Sequence, residues 1–359
     1  MALAKLDGCE LSASADFHVH LRDSAMMETV VPTIRRGGVN TVYVMPNLVP
    51  PVTTVEAATD YRDRLQALEP RVTFLMSLYL HSSVTPDTIR EAKKAGVPGV
   101  KSYPAGVTTN SDSGVVDYAA FYPVFSAMQD EDMILNLHGE VPDVDVHRAE
   151  QSFLPVLVEL HERFPRLRIV LEHCTSAAAI ETVASLGPSV VATITAHHLS
   201  IVVDDWNGED RGGGDPFCFC KPVAKTPADR DALLRAAASG NPKFFLGTDS
   251  APHPAQAKKG DKPAAGVFTQ PYATQLVLDA FEMACETGAL KEGDITREAL
   301  EGFLSKFGRA FYRAPDARNE RIVLKRGDER IVDVIRKDGS DVEVVPFRRG
   351  RSTWTLTWT

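Results

Sequence analysis

Two histidines one residue apart, His18 and His20 in "DFHVHLRD" (residues 16–23), open the chemistry of this 359-residue chain. On an extended strand, side chains two positions apart share a face, so the two imidazoles would stand side by side. Such a pair is either an ordinary polar strand face or half of a metal site. Comparable residues close other apolar runs: Asn47 in "TVYVMPN", Lys101 in "GVKSYP", His138 in "MILNLHGE", His173 in "RIVLEHC" and Asp249 in "KFFLGTDSAPH". Neutral imidazoles and a carboxylate are what Zn(II) takes, and a catalytic zinc keeps one position open for water. A lone strand-end histidine is usually just hydrogen-bonded or solvent-facing; the convergence of several favours a metal.

Lys101 is the odd member of this set. Metal cations repel an ammonium, so Lys101 either stands outside the cluster, as a surface lysine after "AGVPGV", or changes its chemistry. Burial near positive charge favours the neutral amine, and a neutral amine can add carbon dioxide to become a carbamate, an anionic bidentate ligand. Spacing alone leaves both readings open.

Bringing these residues together requires elements that end at one place. Eight β-rich apolar runs, at 15–21, 41–47, 72–80, 99–104, 133–140, 168–174, 190–199 and 243–253, alternate with helical patterns such as "TVEAATDYRDRLQALE" and "TPADRDALLRAAASG". In the latter, Thr226 is placed as N-cap and Gly240 past the end. Eight βα repeats predict a (β/α)8 TIM-type barrel, whose active site lies at the C-terminal strand ends. A doubly wound open sheet would bring only a few strand ends to its crevice. One domain is expected over 1–359, with a small C-terminal strand extension from about 314 to 359 built on "ERIVDVI", "DVEVVPF" and "STWTLTWT". Its basic run Arg348, Arg349 and Arg351 is expected to be a solvated turn.

Composition narrows the partners. A formal net charge of -9 argues against a generic nucleic-acid or acidic-membrane surface. No apolar run reaches the ~18 residues of a membrane span, and "MALAKLDGCE" has no secretory apolar region. Five cysteines, an odd number in a long chain, read as reduced thiols of a cytoplasmic protein. "CFC" at 218–220 lacks the second pair that a thiolate zinc site needs.

"DFHVHLRD", "VMPNLVPPVTT", "KSYPAGVTTNSDSGV", "LNLHGEV", "EHCTS" and "FLGTDSAPH" together resemble the class II dihydroorotases. These form the monofunctional branch of the amidohydrolase superfamily and serve de novo pyrimidine biosynthesis. The likeness runs from about Ala15 to the C-terminal "VPF" and "STW". The paired histidines alone would indicate only the superfamily; "HLRD", "MPNLVPP" and "GTDSAPH" are more specific.

The resemblance implies two Zn(II) per chain. His18 and His20 would hold the more buried ion with Asp249, and Lys101, as N6-carboxylysine, would bridge it to a second ion held by His138 and His173. A hydroxide would lie between the metals, with Asp249 as general base and then acid. The implied reaction is reversible hydrolysis of L-dihydroorotate to N-carbamoyl-L-aspartate, by a homodimer.

For the substrate carboxylate, Arg22 offers a planar bidentate fork, against a bland surface pair with Asp23, and Asn47 adds an amide. By resemblance His253 and the backbone near Ala265 complete that pocket, and Lys221 meets the ring through backbone atoms. Residues 106–115, which could be a plain solvated loop, would act as a lid bearing Thr108 and Thr109. Lys221, Ser102 and Val107 depart from the commonest family pattern. His81, His147 and His161 are expected to be structural or exposed. His198, near the end of the seventh run with His197, is a candidate for the site lining but not for metal binding. Rival readings are a hydantoinase, dihydropyrimidinase or allantoinase, which need not bind a carboxylate, and an inactive scaffold homologue, which would usually have lost ligands.

Overall fold

The computed structural model describes residues 3–359 apart from 209–212, 261 and 317. Eight parallel strands form one sheet in sequence order: β1 Ser14–Val19, β2 Val39–Val44, β3 Thr73–Tyr79, β4 Gly99–Ser102, β5 Ile134–Leu137, β6 Arg168–Leu171, β7 Val190–Ile194 and β8 Phe244–Leu246. The sheet closes on itself just past β8. Val19 bridges to Ser250, the His20 amide donates to the Ser250 carbonyl (3.0 Å), and the Asp249 amide donates to the His18 carbonyl (2.9 Å). The result is the expected TIM barrel. Every expected strand is present. The strands are short, and the polar residues that end the sequence runs fall at or just beyond their C-terminal ends.

Both faces of a parallel barrel strand are covered, which is why the runs are nearly continuously apolar. Inside, Ala15, Phe17, Tyr43, Ile134, Val170, Val191 and Phe245 form the floor of the barrel, and Tyr312 stacks on Phe17 at 4.6 Å between ring centroids. Tyr312 belongs to the helix Phe307–Tyr312, which closes the bottom. A glycine is required there: a Cβ on Gly308 would sit 2.3 Å from the Phe17 ring. The pairing of β1 with β2 shifts register between Asp16 and Val19. That irregularity accounts for Phe17 facing the floor while His18, the next residue, still reaches the mouth.

The outer helices follow their sequence signals. Val55–Leu68 starts at the N-cap Thr54. Pro227–Ala238 starts at Thr226, which exchanges hydrogen bonds with Asp229 in a capping box, and Gly240 follows with a φ of 72°. The strand extension differs from expectation in composition. Its central strand is Arg321–Lys325, flanked by Thr355–Trp358 and by Glu10–Ser12 from the other end of the chain. "ERIVDVI" contributes only an isolated bridge at Arg330 and the start of a two-residue strand at Ile335. Arg321–Lys325 can pair on both edges because it has a partner from each end of the chain, which no local pattern reveals. Arg349 and Arg351 are exposed as expected, whereas Arg348 is partly buried beside Phe347.

Candidate active site

His18 and His20 leave the end of β1 with ring centroids 5.3 Å apart, on one side of the strand as their spacing requires. Across the barrel mouth, His173 follows β6 and lies 5.0 Å from His18 and 4.6 Å from His138, which follows β5. Asp249 follows β8 and places Oδ1 3.1 Å from His20 Nε2 and 3.3 Å from His18 Nε2. Lys101, on β4, is fully buried, as are the floors of all these strands. Three residues here, Arg22, His173 and Asp249, have positive φ (60°, 42° and 45°), a conformation costly for non-glycine residues and concentrated at functional sites.

Hydrogen bonds fix which ring nitrogens face the centre. His18 Nδ1 donates to Glu172 Oε2 (2.9 Å), His20 Nδ1 to Asn47 Oδ1 (2.8 Å), and His138 Nε2 to Glu140 Oε2 (2.7 Å). In its neutral form each ring then presents its other nitrogen to the centre as a lone pair. This outer arrangement is how proteins orient metal-binding imidazoles. Glu172 is the hub, also accepting from Thr193 Oγ1 (2.6 Å) and from the Asn136 amide. Glu172 and Glu140 were not singled out from the sequence, although Glu172 directly precedes His173 in "LEHC" and Glu140 stands two residues after His138 in "LHGE".

The donor set fits metal ions. The ligand atoms of His18, His20 and Asp249 lie within 4.8 Å of one another, and His18 Nε2, His173 Nδ1 and Lys101 Nζ are buried without a hydrogen-bond partner. Buried polar atoms are rarely left so; a coordinated cation would satisfy the two imidazole nitrogens, whereas it would repel Lys101 Nζ unless that amine is neutral or modified. Burial pushes the Lys101 ammonium down to about 8, even though Glu172 and Asp249 favour its charge. Burial likewise pushes His20 down to about 4, so its imidazole is neutral.

Most of the residues expected to hold substrate line the same chamber, while His253 stands behind its wall. Arg22, Asn47, Thr108, Thr109, Lys221 and Ala265 surround it together with the histidines and Asp249. Arg22 is half-buried; its Nε donates to the Pro252 carbonyl (3.0 Å), and its Nη2 lies 3.3 Å from His253 Nε2. His253 Nε2 also lies 2.9 Å from the Ala265 carbonyl. One nitrogen cannot donate and accept at once, and the shorter contact makes it the donor to Ala265. Burial, then the neighbouring Arg22, push His253 down to about 3, leaving it neutral.

Asn47 spans the site. Its Oδ1 orients His20, its Nδ2 donates to the Thr109 carbonyl (3.1 Å), and the Asn110 amide donates back to its carbonyl (2.9 Å). Lys221 Nζ donates to the Val107 carbonyl (3.0 Å), so its side chain meets the 106–115 loop. That loop lies over the chamber, whose free volume is ≈ 20 Å³, room for about one water. Outside it is a second cavity of ≈ 680 Å³, and Thr108, Thr109, Lys221 and Ala265 line both, forming the partition.

The other histidines lie outside this constellation. His81 bonds Ser83, and His161 contacts Gly187 and Ser189. His197, His198 and Cys220 form a separate buried trio. His198 is already bonded at both nitrogens, to Thr195 Oγ1 and the Pro222 carbonyl, and the Cys220 thiol also reaches Pro222.

Glu172→Gln tests the orienting shell. Loss of the carboxylate opposite His18 is expected to reduce metal retention or activity roughly 10–100-fold. Metal per chain after dialysis against a chelator measures it; retention equal to the unsubstituted protein, with equal activity, would rule the role out.

A sequence profile of the amidohydrolase family matches residues 16–213. The probable dihydroorotase of Schizosaccharomyces pombe is 51% identical over 349 residues, covering 96% of this chain and 97% of its own. The dihydroorotase of Saccharomyces cerevisiae is 46% identical over 373 residues, covering 97% and 98%. A crystal structure of Saccharomyces cerevisiae dihydroorotase in complex with 5-fluoroorotic acid superposes with a TM-score of 0.89 at 45% identity, covering 98% of this chain and 99% of that one. With near-full-length identity of this order added to the barrel and its paired histidines, the chain belongs to the amidohydrolase family, in its dihydroorotase branch.

Proposed function

We propose that this protein catalyses the reversible hydrolysis of L-dihydroorotate to N-carbamoyl-L-aspartate, a step of pyrimidine biosynthesis. The observation that carries the reading is the placing of Arg22 in one chamber with His18, His20, His138, His173 and Asp249: a hydrolytic donor set beside a group that holds a carboxylate. The relatives named dihydroorotase support it, one of them in complex with an orotic acid derivative.

His18, His20 and Asp249 would hold one Zn(II), and His138 and His173 a second, with Lys101 as its carbamate between them. When bound, such a pair lowers the pKa of water and polarises a carbonyl. The chain's own residues do the rest. Arg22 would hold the substrate carboxylate through its fork, assisted by Asn47 and by the Ala265 backbone that His253 anchors, and so set the ring amide against the metal-facing side. Asp249, within reach of both β1 histidines, would take a proton from the attacking water and deliver it to the leaving ring nitrogen. Glu172, Asn47 and Glu140 keep the imidazoles in the required tautomers.

A ring substrate cannot enter a chamber with room for one water, so residues 106–115 would lift for entry and close again to exclude solvent. Because Asn47 holds Thr109 by its backbone carbonyl, Thr109→Ala leaves that anchor intact. It is expected to lower kcat about tenfold or more, with metals retained. Unchanged steady-state kinetics for both Thr108→Ala and Thr109→Ala would sink the lid role.

Five cysteines without a disulfide support action in the reducing cytoplasm, and the family resemblance supports a homodimer. One preparation tests the function: metal per chain, and turnover of L-dihydroorotate against hydantoin and dihydrouracil. Two metals and a preference for L-dihydroorotate are expected, and Arg22→Met should remove that preference. Absence of metal, or preference for the uncharged rings, would refute the assignment in favour of another cyclic amidase.

A further inference from the structure

Lys258 ends a short 3-10 turn, Ala255–Lys258, and is 3% exposed. Its ammonium has three donors, and all three are used: to the carbonyls of Phe219 (3.0 Å), Ala264 (2.7 Å) and Gly266 (2.7 Å). Among the described residues no carboxylate lies in ion-pair contact with it, and Asp215 favours its charge only from a distance. A buried cation held chiefly by carbonyl dipoles is costly, and burial pushes this one down to about 8. An apolar side chain would leave these carbonyls without their donor, so the ammonium fixes the path of the backbone that carries them.

The carbonyls it grips suggest what that path serves. Ala264 and Gly266 flank Ala265, whose own carbonyl accepts from His253 Nε2 (2.9 Å). The Ala264 amide donates to the Ala257 carbonyl (2.8 Å) and the Gly266 amide to the Phe219 carbonyl (3.0 Å). Three carbonyls and two amides of this tripeptide are thus engaged, and the Ala265 N–H has no partner among the described residues. Ala265 lines the chamber shared with Arg22. Gly266 suits the close packing: its φ is 154°, and a Cβ there would meet the Ala251 carbonyl at 2.4 Å.

We propose that Lys258 is a positioning residue for substrate binding: its ammonium clamps residues 264–266 to Phe219, so that the free Ala265 N–H is held toward the substrate carboxylate. The clamp also leaves a fixed positive charge behind the pocket wall. It acts through the wall and never touches substrate. This inference rests on the dihydroorotase reading above.

The test is steady-state kinetics of the metal-loaded full-length protein with L-dihydroorotate. Lys258→Met is expected to raise KM about tenfold or more, the effect of losing about 1.4 kcal/mol of substrate binding. It should leave kcat within about threefold and metal per chain unchanged, because no metal-facing group is disturbed. Lys258→Arg, which keeps charge and donors, should recover most of the loss. If Lys258→Met does not fold, Lys258→Gln, which keeps two donors but no charge, should show the same KM-specific defect. KM within about twofold of the unsubstituted enzyme, or a fall in kcat and thermal stability with KM unchanged, would overturn the role. Failure of the unsubstituted protein to turn over L-dihydroorotate would instead overturn the functional reading.

Discussion

Lys101→Ala is expected to abolish most activity and to regain part of it when a short carboxylic acid such as acetate or propionate is added. The side chain is fully buried, its Nζ has no hydrogen-bond partner, and burial pushes its ammonium down to about 8. Alanine breaks no hydrogen bond of Nζ to the described residues and loses only its place over the Tyr103 ring, so the loss should fall mainly on chemistry. It should exceed the roughly 10–100-fold that removing an orienting partner costs, because a ligand itself is removed. Alanine leaves a gap about the size of the lost chain, and a small carboxylate diffusing into it could supply the bridging oxygens. Activity and metal per chain, measured with and without the acid, decide the matter. Activity within about tenfold of the unsubstituted enzyme would rule out a bridging carbamate, whereas absent rescue would count only against the fit of the added acid.

Asp249→Asn is the second. The amide matches the carboxylate in shape and keeps an oxygen for His18 and His20, but it cannot accept and return a proton at neutral pH. General acid–base groups contribute about 10²–10⁴-fold, so kcat should fall by that factor while KM changes little. The expected signature is a pH profile of kcat/KM that loses its acidic limb, with metal still bound. A variant that retains kcat within about tenfold, or an acidic limb that persists, would move the proton-transfer role elsewhere.

The barrel was legible because eight apolar runs recur with helices between them, and strand ends converge at one mouth by geometry alone. His18, His20, His138, His173 and Asp249 could be placed together for that reason. Lys101 could not be resolved by spacing, since a surface lysine and a buried one look alike until the strand is seen to be covered on both faces. Glu172 and Glu140 went unread although each lies close in sequence to a chosen histidine: which neighbour orients a ring depends on rotamers and on strands that meet only in the fold. Asn47 was expected at the substrate, and the structure shows its amide also bonded to His20 and Thr109. Lys258 in "AQAKKGDK" reads as one of several solvated lysines, and nothing local says that three carbonyls enclose it. The outer sheet was half-read because its central strand is stabilised from both chain ends at once.

The seam of the barrel carries a consequence for how the protein comes into being. The contacts that close it join Val19, His18 and His20 to Asp249 and Ser250, and the same two stretches supply three of the proposed metal ligands. While the ribosome has yet to release residue 250 of 359, the first histidines exist without their aspartate and the ring of strands stands open. Metal and carbon dioxide would then be captured only by a chain whose barrel is complete. A product terminated before residue 249 would lack both the closing contacts and the aspartate, so loading would report that synthesis has passed β8.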